Sequence, residues 1–114
     1  MEIQSERHQQ TIVISLAGSF DALTAGQVRS TILSQFDEGQ QVVLDMSQVR
    51  FMSSSGVRVL LEMLKLGRER GGDLRLASAQ PGVQRTLEIS GMARILKAYA
   101  SLEEAVGSFG RPAP

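Results

Sequence analysis

The chain has 114 residues, 42% hydrophobic and 21% charged, so its apolar content suffices for one globular domain. Its 12 basic and 12 acidic residues balance, which gives no field to attract nucleic acid or an anionic membrane, and the absence of cysteine excludes disulfides and thiol chemistry. No apolar segment resembles a signal peptide or a membrane span. We expect a cytoplasmic protein with one domain over residues 1–110, a disordered tail at 111–114, no membrane insertion and no direct contact with nucleic acid.

The first half of the sequence predicts two strands, a helix and a buried strand. Residues 11–16 are rich in β-branched side chains, which indicates a strand, with Ile3 in a weaker partner strand before it. Apolar residues then recur about every 3.6 positions, which predicts a helix from about 22 to 35. The apolar run 42–44 is bounded by polar residues and suits a central strand buried on both faces. The predicted apolar side of the helix comprises Leu23, Val28, Ile32, Leu33 and Phe36.

A second amphipathic helix is predicted after the serine-rich segment 53–55. Four apolar residues recur at the spacing of one helix face, and charged residues occupy the other side. Gly71 and Gly72 end this helix. The apolar stripe comprises Val57, Leu60, Leu61 and Leu64, and Met63 belongs either to the core or to a groove for a partner.

The last third of the chain predicts two more strands and two more helices. The segment 73–79 alternates polar and apolar residues as a strand does, and Pro81 suits the first turn of a third helix. Residues 94–100 are a short strand candidate. Ser101, with Glu104 three positions on, forms a capping-box pattern that opens a last helix. Strands alternating with helices in this order predict a mostly parallel or mixed sheet with helices packed against it.

The three consecutive serines at 53–55 lie where a strand gives way to a helix. One interpretation is structural, because serine is among the best residues for capping the free N–H groups of a first helical turn. The other is functional, because a helix N-terminus carries partial positive charge and accepts an added phosphate without unfolding. The pattern by itself leaves both interpretations open.

The sequence lacks the groups of residues that common catalytic sites require. The serine cluster has no glycine two residues before a serine, as a G-x-S-x-G nucleophile requires. The sole histidine, His8, lies in a polar N-terminal segment, and the sequence contains neither a P-loop motif nor clustered metal ligands. We therefore expect a protein that is not an enzyme and that uses no cofactor or metal.

The segment 42–77 resembles the centre of STAS domains, in particular those of bacterial anti-sigma factor antagonists. The residues that carry the resemblance are Asp45-Met46-Ser47, Phe51-Met52 and Ser53-Ser54-Ser55-Gly56, which follow the order and spacing of the family's Asp-Leu-Ser, apolar pair and Asp-Ser-Ser-Gly. Residues 18–21 are similar to the family's Gly-x-φ-Asp step, and residues 87–106 are similar to its C-terminal segment. The likeness extends from about residue 12 to residue 106.

The resemblance implies a STAS-like α/β fold, a mixed sheet of four to five strands with about four helices packed mainly on one side. It also implies an anti-sigma factor antagonist in a partner-switching pathway. In that pathway an anti-sigma factor, a serine kinase of histidine-kinase-like ATPase fold, phosphorylates Ser54 and a PP2C-type phosphatase reverses the reaction. The alternative is a constitutive scaffold subunit of a lipid-transport or stress-signalling assembly without a phosphoswitch. We expect a monomer or a weak dimer.

The sequence departs from Asp-Ser-Ser-Gly by placing Ser53 where the family has an acidic residue. Ser53 and Ser55 are therefore alternative acceptors beside Ser54. Asp21 is either the N-cap of the first helix or part of an acidic surface facing a basic partner. The expected partner-binding residues are Asp21, Thr24, Met52, Ser53, Ser54, Ser55, Gly56 and Arg58.

Overall fold

A five-stranded sheet forms the centre of the structure. The computed structural model describes residues 1–37 and 39–109, so the expected tail at 111–114 lies outside the described residues. The strands are β1 (Glu2–His8), β2 (Thr11–Phe20), β3 (Gln41–Met52), β4 (Asp73–Ala77) and β5 (Ala98–Tyr99). The α-helices of this part of the chain are α1 (Ala25–Gln35), α2 (Ser54–Glu69), α3 (Pro81–Ile89) and α4 (Leu102–Phe109). Within these ranges no helix has both the length and the apolar character that crossing a membrane requires.

The strands lie side by side in the order β1-β2-β3-β4-β5. β1 and β2 are antiparallel and joined by a two-residue turn, whereas every later pair is parallel and is connected through a helix. β3 is the middle strand, with Val42 and Leu44 in the core on one side of the sheet and Val43 in the core on the other. The expected mixed α/β fold with a central strand buried on both faces is confirmed.

Three helices, α1, α2 and α3, cover one face of the sheet, which we call the front face. Fully buried side chains from each layer meet there, among them Leu44 of β3, Ile32 of α1 and Leu60 of α2. Each such side chain contributes roughly 1.5–3 kcal/mol by leaving water. The front face therefore holds most of the hydrophobic core.

The opposite, back face is covered only by α4 in the described part of the chain. Val13, Val43 and Ala77 of the sheet meet Ala105 of this helix in a small second cluster. Arg75 of β4 also holds the helix, since its Nη1 donates to the Ser108 hydroxyl at 2.6 Å and its guanidinium lies 4.0 Å from the centre of the Phe109 ring. The expectation of helices packed mainly on one side is confirmed.

Helix α1 begins later than the hydrophobic spacing predicts. Residues 22–24 form a turn, and Leu23 is 94% exposed rather than part of the apolar side of the helix. The turn is held from within, because the Asp21 carbonyl accepts hydrogen bonds from the backbone N–H groups of Thr24 at 3.2 Å and Ala25 at 2.8 Å. The remaining predicted positions, Val28 to Phe36, pack on or in the front core as expected.

Helix α2 forms as predicted, but it buries a different stripe. Leu60 and Leu64 are buried as expected, because they face the sheet. Val57 and Leu61 are only half-buried, while Val59 and Met63 are buried in their place. Met63 is therefore a core residue, which decides between the two alternatives that the sequence left open for it.

The segment 94–100 is mostly not a strand. Met92–Arg94 form a short 3-10 turn, and only Ala98–Tyr99 pair with β4. The intervening Leu96 is 2% exposed and fills the front core, which draws the chain out of the sheet. The capping prediction for the last helix is confirmed, since the Ser101 hydroxyl accepts the Glu104 N–H at 3.1 Å.

An exposed ion pair joins α1 to α2. Arg29 Nε donates to Glu62 Oε1 at 2.9 Å, and Arg29 Nη2 donates to Glu62 Oε2 at 2.8 Å. The hydrogen bond from Arg29 lowers the pKa of the Glu62 carboxyl, and the same bond raises the pKa of Arg29. A lowered carboxyl pKa means that the pair stabilises the fold above the pKa of the unfolded chain, and that this contribution is lost as the pH falls through the lowered value.

Gly56 lies where the first turn of α2 touches the end of β2. A Cβ atom at this position would stand 2.9 Å from the Phe20 carbonyl oxygen and 2.8 Å from Cγ of Met52. The Phe20 oxygen belongs to the backbone and cannot rotate away. Only glycine therefore allows α2 to approach β2 this closely.

We expect Gly56→Ala to lower the free energy of unfolding by about 1–3 kcal/mol, because the added methyl group overpacks the contact. Urea unfolding measures the change. Gly26→Ala is the matched control, because Gly26 also lies in a helix and has nothing within 4 Å of its Cβ position, so it should be neutral or stabilising by up to about 1 kcal/mol. Equal stability of the Gly56→Ala variant and the native chain would contradict the close approach.

Candidate functional site

The candidate site lies where β2 and β3 end together and α2 begins. Phe20 and Met52, the last residues of the two strands, are paired in the parallel ladder. The Ser53 N–H then donates to the Phe20 carbonyl at 2.9 Å, which carries the strand pairing up to the N-cap of α2. The serine cluster is thus held at the carboxyl end of two central strands, a common place for sites in α/β sheets.

The three serines differ in accessibility. Ser54, the first residue of α2, is exposed, whereas Ser53 and Ser55 are half-buried. The Oγ atom of Ser53 is itself buried and has no hydrogen-bond partner among the described residues. Of the three hydroxyl-bearing residues, Ser54 is the one most open to another protein.

The structure does not support the capping interpretation of this cluster. Ser53 occupies the N-cap position with an extended backbone, φ −90° and ψ 176°, but its side chain makes no capping hydrogen bond. Its main-chain carbonyl accepts the Val57 N–H at 3.1 Å instead. The first turn of α2 also lacks acidic residues, so its positive end is not neutralised by a side chain of that turn.

A tight turn beside the serines is built by Asp21 and Thr24. The Thr24 hydroxyl donates to the Ser19 carbonyl at 2.8 Å and accepts the Asp21 N–H at 3.0 Å. The Asp21 carboxylate accepts the Leu23 N–H at 3.0 Å. Thr24, not Asp21, occupies the N-cap position of α1, so the N-cap interpretation of Asp21 is wrong and Thr24 chiefly holds the turn.

Two of the expected partner-binding residues lie beneath the surface. Met52 is 1% exposed, and Gly56 is buried against Phe20. Both residues support the start of α2 from below, and their part in partner binding stays a prediction. Arg58, one turn after Ser54, is exposed and makes no ion pair with the rest of the described chain.

Two apolar side chains near the serines were not identified as surface residues from the sequence. Leu23, in the turn between β2 and α1, is 94% exposed, and Phe51, at the end of β3, is 55% exposed. The apolar spacing placed Leu23 on the buried side of the predicted helix, and no other feature of the sequence indicated that it is exposed. Strand alternation could have identified Phe51, because its neighbour Met52 faces the core. Exposed large apolar side chains are a feature of protein-binding surfaces.

An open groove of about 660 Å³ lies between the start of β1, the turn that contains Leu23 and the carboxyl ends of β2 and β3. Its lining combines Leu23 with the carboxylate of Asp21, the amide of Gln48 and the guanidinium of Arg50. Within residues 1–37 and 39–109, no group of three or more His, Cys, Asp or Glu side chains is close enough together to hold a metal ion. The groove is shallow and chemically mixed, as a surface for another protein is.

The Asp45-Met46-Ser47 motif stabilises the carboxyl half of β3. The Asp45 carboxylate accepts the Ser47 N–H at 3.0 Å, and the Ser47 carbonyl accepts the side-chain amide of Gln80 at 2.8 Å. Gln80 belongs to the loop before α3. The motif thus ties neighbouring strand ends together and does not itself present a reactive group.

Comparison with known proteins gives consistent matches. The sequence model of the STAS domain matches residues 2–105. The anti-sigma F factor antagonist of Paenibacillus polymyxa is 32% identical over 105 residues, which cover 87% of this chain and 86% of that protein.

Solved structures of SpoIIAA, a Bacillus anti-sigma factor antagonist, have a similar fold. The unphosphorylated form has a TM-score of 0.80 and 25% identity, covering 99% of this chain and 100% of that one. The phosphorylated form has a TM-score of 0.71 and 25% identity, covering 95% of this chain and 99% of the other. The fold, the motif and the extent of the match lead to one conclusion: this chain belongs to the STAS domain family.

Proposed function

We propose that this protein is an anti-sigma factor antagonist whose binding surface surrounds the start of α2, and that phosphorylation of Ser54 switches this binding off. The observation that carries the proposal is the exposure of Ser54 at the first residue of a helix whose first turn has no acidic residue. The names of the relatives support the first part, and the two forms in which SpoIIAA has been solved support the second.

Accessibility favours Ser54 over its neighbours as the acceptor. A kinase must reach the hydroxyl and align it with the γ-phosphate, so an exposed side chain is required. The Ser53 hydroxyl is buried, and Ser55 is half-buried. Ser53 therefore replaces the family's acidic residue without competing for the phosphate.

The fold accommodates a phosphate on Ser54. The group adds close to two negative charges, which the partial positive charge at the start of α2 stabilises. The first turn offers N–H groups that have no intrahelical partner. Phosphorylation therefore changes the surface without unfolding the domain.

The same phosphate opposes binding. A partner that covers Ser54 together with the exposed side chains of Leu23 and Phe51 must remove the new charges from water. A partner whose surface complements Asp21 with one cation does not compensate for two more negative charges. The phosphorylated form therefore binds the partner more weakly than the unphosphorylated form.

The partner in this proposal is an anti-sigma factor that is also the serine kinase, of histidine-kinase-like ATPase fold. It holds its sigma factor until the unphosphorylated antagonist displaces that client. A PP2C-type phosphatase restores the unphosphorylated form. The antagonist acts by binding in the cytoplasm and catalyses no reaction of its own.

We expect Ser54→Asp to weaken binding of the kinase by at least ~10-fold, because even one carboxylate must be desolvated in the contact. The same change should leave the fold intact or stabilise it by about 0.3–1 kcal/mol. Ser54→Ala, which keeps the surface neutral, serves to purify the kinase from the protein's own cells and then as the reference in calorimetry. Ser55→Asp is the control for a negative charge one residue away.

A direct test of the acceptor follows with the purified kinase and ATP. Tandem mass spectrometry of the native chain should place one phosphate on Ser54, and the Ser54→Ala chain should stay unmodified. If Ser53, Ser54 and Ser55 all remain unmodified and Ser54→Asp binds as tightly as the native chain, the switch is refuted and a constitutive scaffold remains.

Leu23 should act as an apolar anchor of the binding surface. We expect Leu23→Ala to weaken binding by ~10-fold or more, because truncation of a central apolar contact typically costs more than about 1 kcal/mol. Its melting temperature should not change, since the side chain is already 94% exposed. Ile89→Ala is the matched control: Ile89 is 78% exposed on α3, outside the proposed surface. Equal binding by the two variants would remove Leu23 from the surface.

Ser53→Ala distinguishes the buried hydroxyl from a helix cap. Because the Ser53 Oγ is buried without a partner, its removal should leave the free energy of unfolding unchanged or raise it by up to about 1 kcal/mol. If Ser53 capped the helix, the same change would instead lower the free energy of unfolding by about 0.5–2 kcal/mol. Urea unfolding decides between these outcomes, and a clear loss of stability would contradict the hydrogen-bond pattern described above.

A further inference from the structure

β1 forms an outer edge of the sheet. It pairs with β2 along its whole length, and no strand of the described chain pairs with its other side. Most of its seven residues are exposed, and it contains no proline. An edge strand of this length presents unpaired N–H and C=O groups to other chains.

The hairpin geometry identifies which backbone groups point outward. His8 pairs with Thr11 across a two-residue turn, and the first turn residue, Gln9, has a φ of 59°, as the common two-residue hairpin turns require. In such hairpins the closing pair exchanges hydrogen bonds, and the pattern then alternates along the strands. Glu2, Gln4, Glu6 and His8 therefore bond to β2. The outward groups belong to Ile3, Ser5 and Arg7.

We propose that β1 is a self-complementary edge through which two copies of this chain pair antiparallel, with Ser5 of one copy opposite Ser5 of the other. In this arrangement Ser5 exchanges both backbone hydrogen bonds with its counterpart. Ile3 does the same with Arg7 of the second copy. The two sheets become one continuous sheet related by a two-fold axis.

The charges on β1 select this register over its neighbours. Within one strand, His8 Nε2 lies 2.8 Å from Oε1 of Glu6. With Ser5 at the centre, Glu2 lies opposite His8 and Gln4 lies opposite Glu6 of the second copy, so the pairing extends this contact and each carboxylate faces a side chain that can donate a hydrogen bond. A shift that centres Gln4 brings Glu2 opposite Glu6, and a shift that centres Glu6 brings two copies of Glu6 together. Like charges directly opposite each other destabilise a strand pair.

The pairing leaves Ser54 and α2 outside the contact. The two-fold axis reverses the direction of the strands in the second copy, so the two Ser54 sites lie at opposite ends of the continuous sheet. Glu2, which pairs with His8 of the second copy, also lines the groove beside Leu23, so one end of the groove borders the contact. The pairing itself does not depend on the phosphoswitch.

The proposal is tested first on the native chain. Sedimentation velocity from about 10 µM to 1 mM, the range in which small interfaces associate, should show a monomer converting to a dimer. Amide hydrogen exchange over the same range should slow at Ile3, Ser5 and Arg7, whereas Gln4 and Glu6 are protected at all concentrations. A monomer throughout, or new protection on α2 or α4 in place of β1, overturns the proposal.

Two sets of variants test the register. Ser5→Pro removes an outward N–H while keeping the bonds to β2, so it should weaken the dimer at least ~10-fold with little change in melting temperature. Gln4→Pro, the matched control, removes a bond to β2 and should lower the melting temperature.

A charge exchange needs no backbone change. Glu2→Lys should weaken the dimer, because lysine then faces His8 of the second copy, and the double variant Glu2→Lys/His8→Glu should restore it. If the double variant dimerises no better than Glu2→Lys alone, the register is wrong.

Discussion

The carbonyl of Phe20 is the point on which the site depends. It accepts the Ser53 N–H at 2.9 Å and leaves no room for a Cβ atom at Gly56, so it sets both the start of α2 and its distance from the sheet. The turn that begins at Asp21 leaves β2 from the same residue. Because the start of α2 and the turn after β2 both depend on Phe20, the exposure of Ser54 and the exposure of Leu23 result from the same local packing.

In this packing, buried residues hold the start of α2 in place while their sequence neighbours stay accessible. Met52 and Gly56 are buried and hold the helix start in place, while Ser54 and Phe51, their neighbours in sequence, project outward. A phosphate added to such a surface alters charge and hydration but not the core beneath it. Among the residues that the structure describes, the Ser53 hydroxyl is the buried side-chain oxygen that has no hydrogen-bond partner.

The two faces of the sheet differ in how they are stabilised. The front face is a broad apolar core beneath three helices, whereas the back face relies on a few small residues and on the contacts of Arg75 with α4. α4 packs over β3, β4 and β5, so the back side of β1 carries polar residues. An apolar edge there would promote uncontrolled strand pairing, while alternating charges allow only selected registers.

The sequence by itself determined the fold family and most of the elements. Periodic apolar residues indicate where helices and strands form, and the motif from Asp45 to Gly56 is local, so both can be identified without coordinates. Tertiary structure alone decided the exposure of individual side chains. The helical spacing of Leu23 is the same whether residue 23 lies in the helix or in the turn before it, and only the hydrogen bonds of Asp21 and Thr24 place it in the turn. Which serine is accessible likewise depends on the approach of α2 to Phe20, because burial arises from contacts between segments distant in the chain.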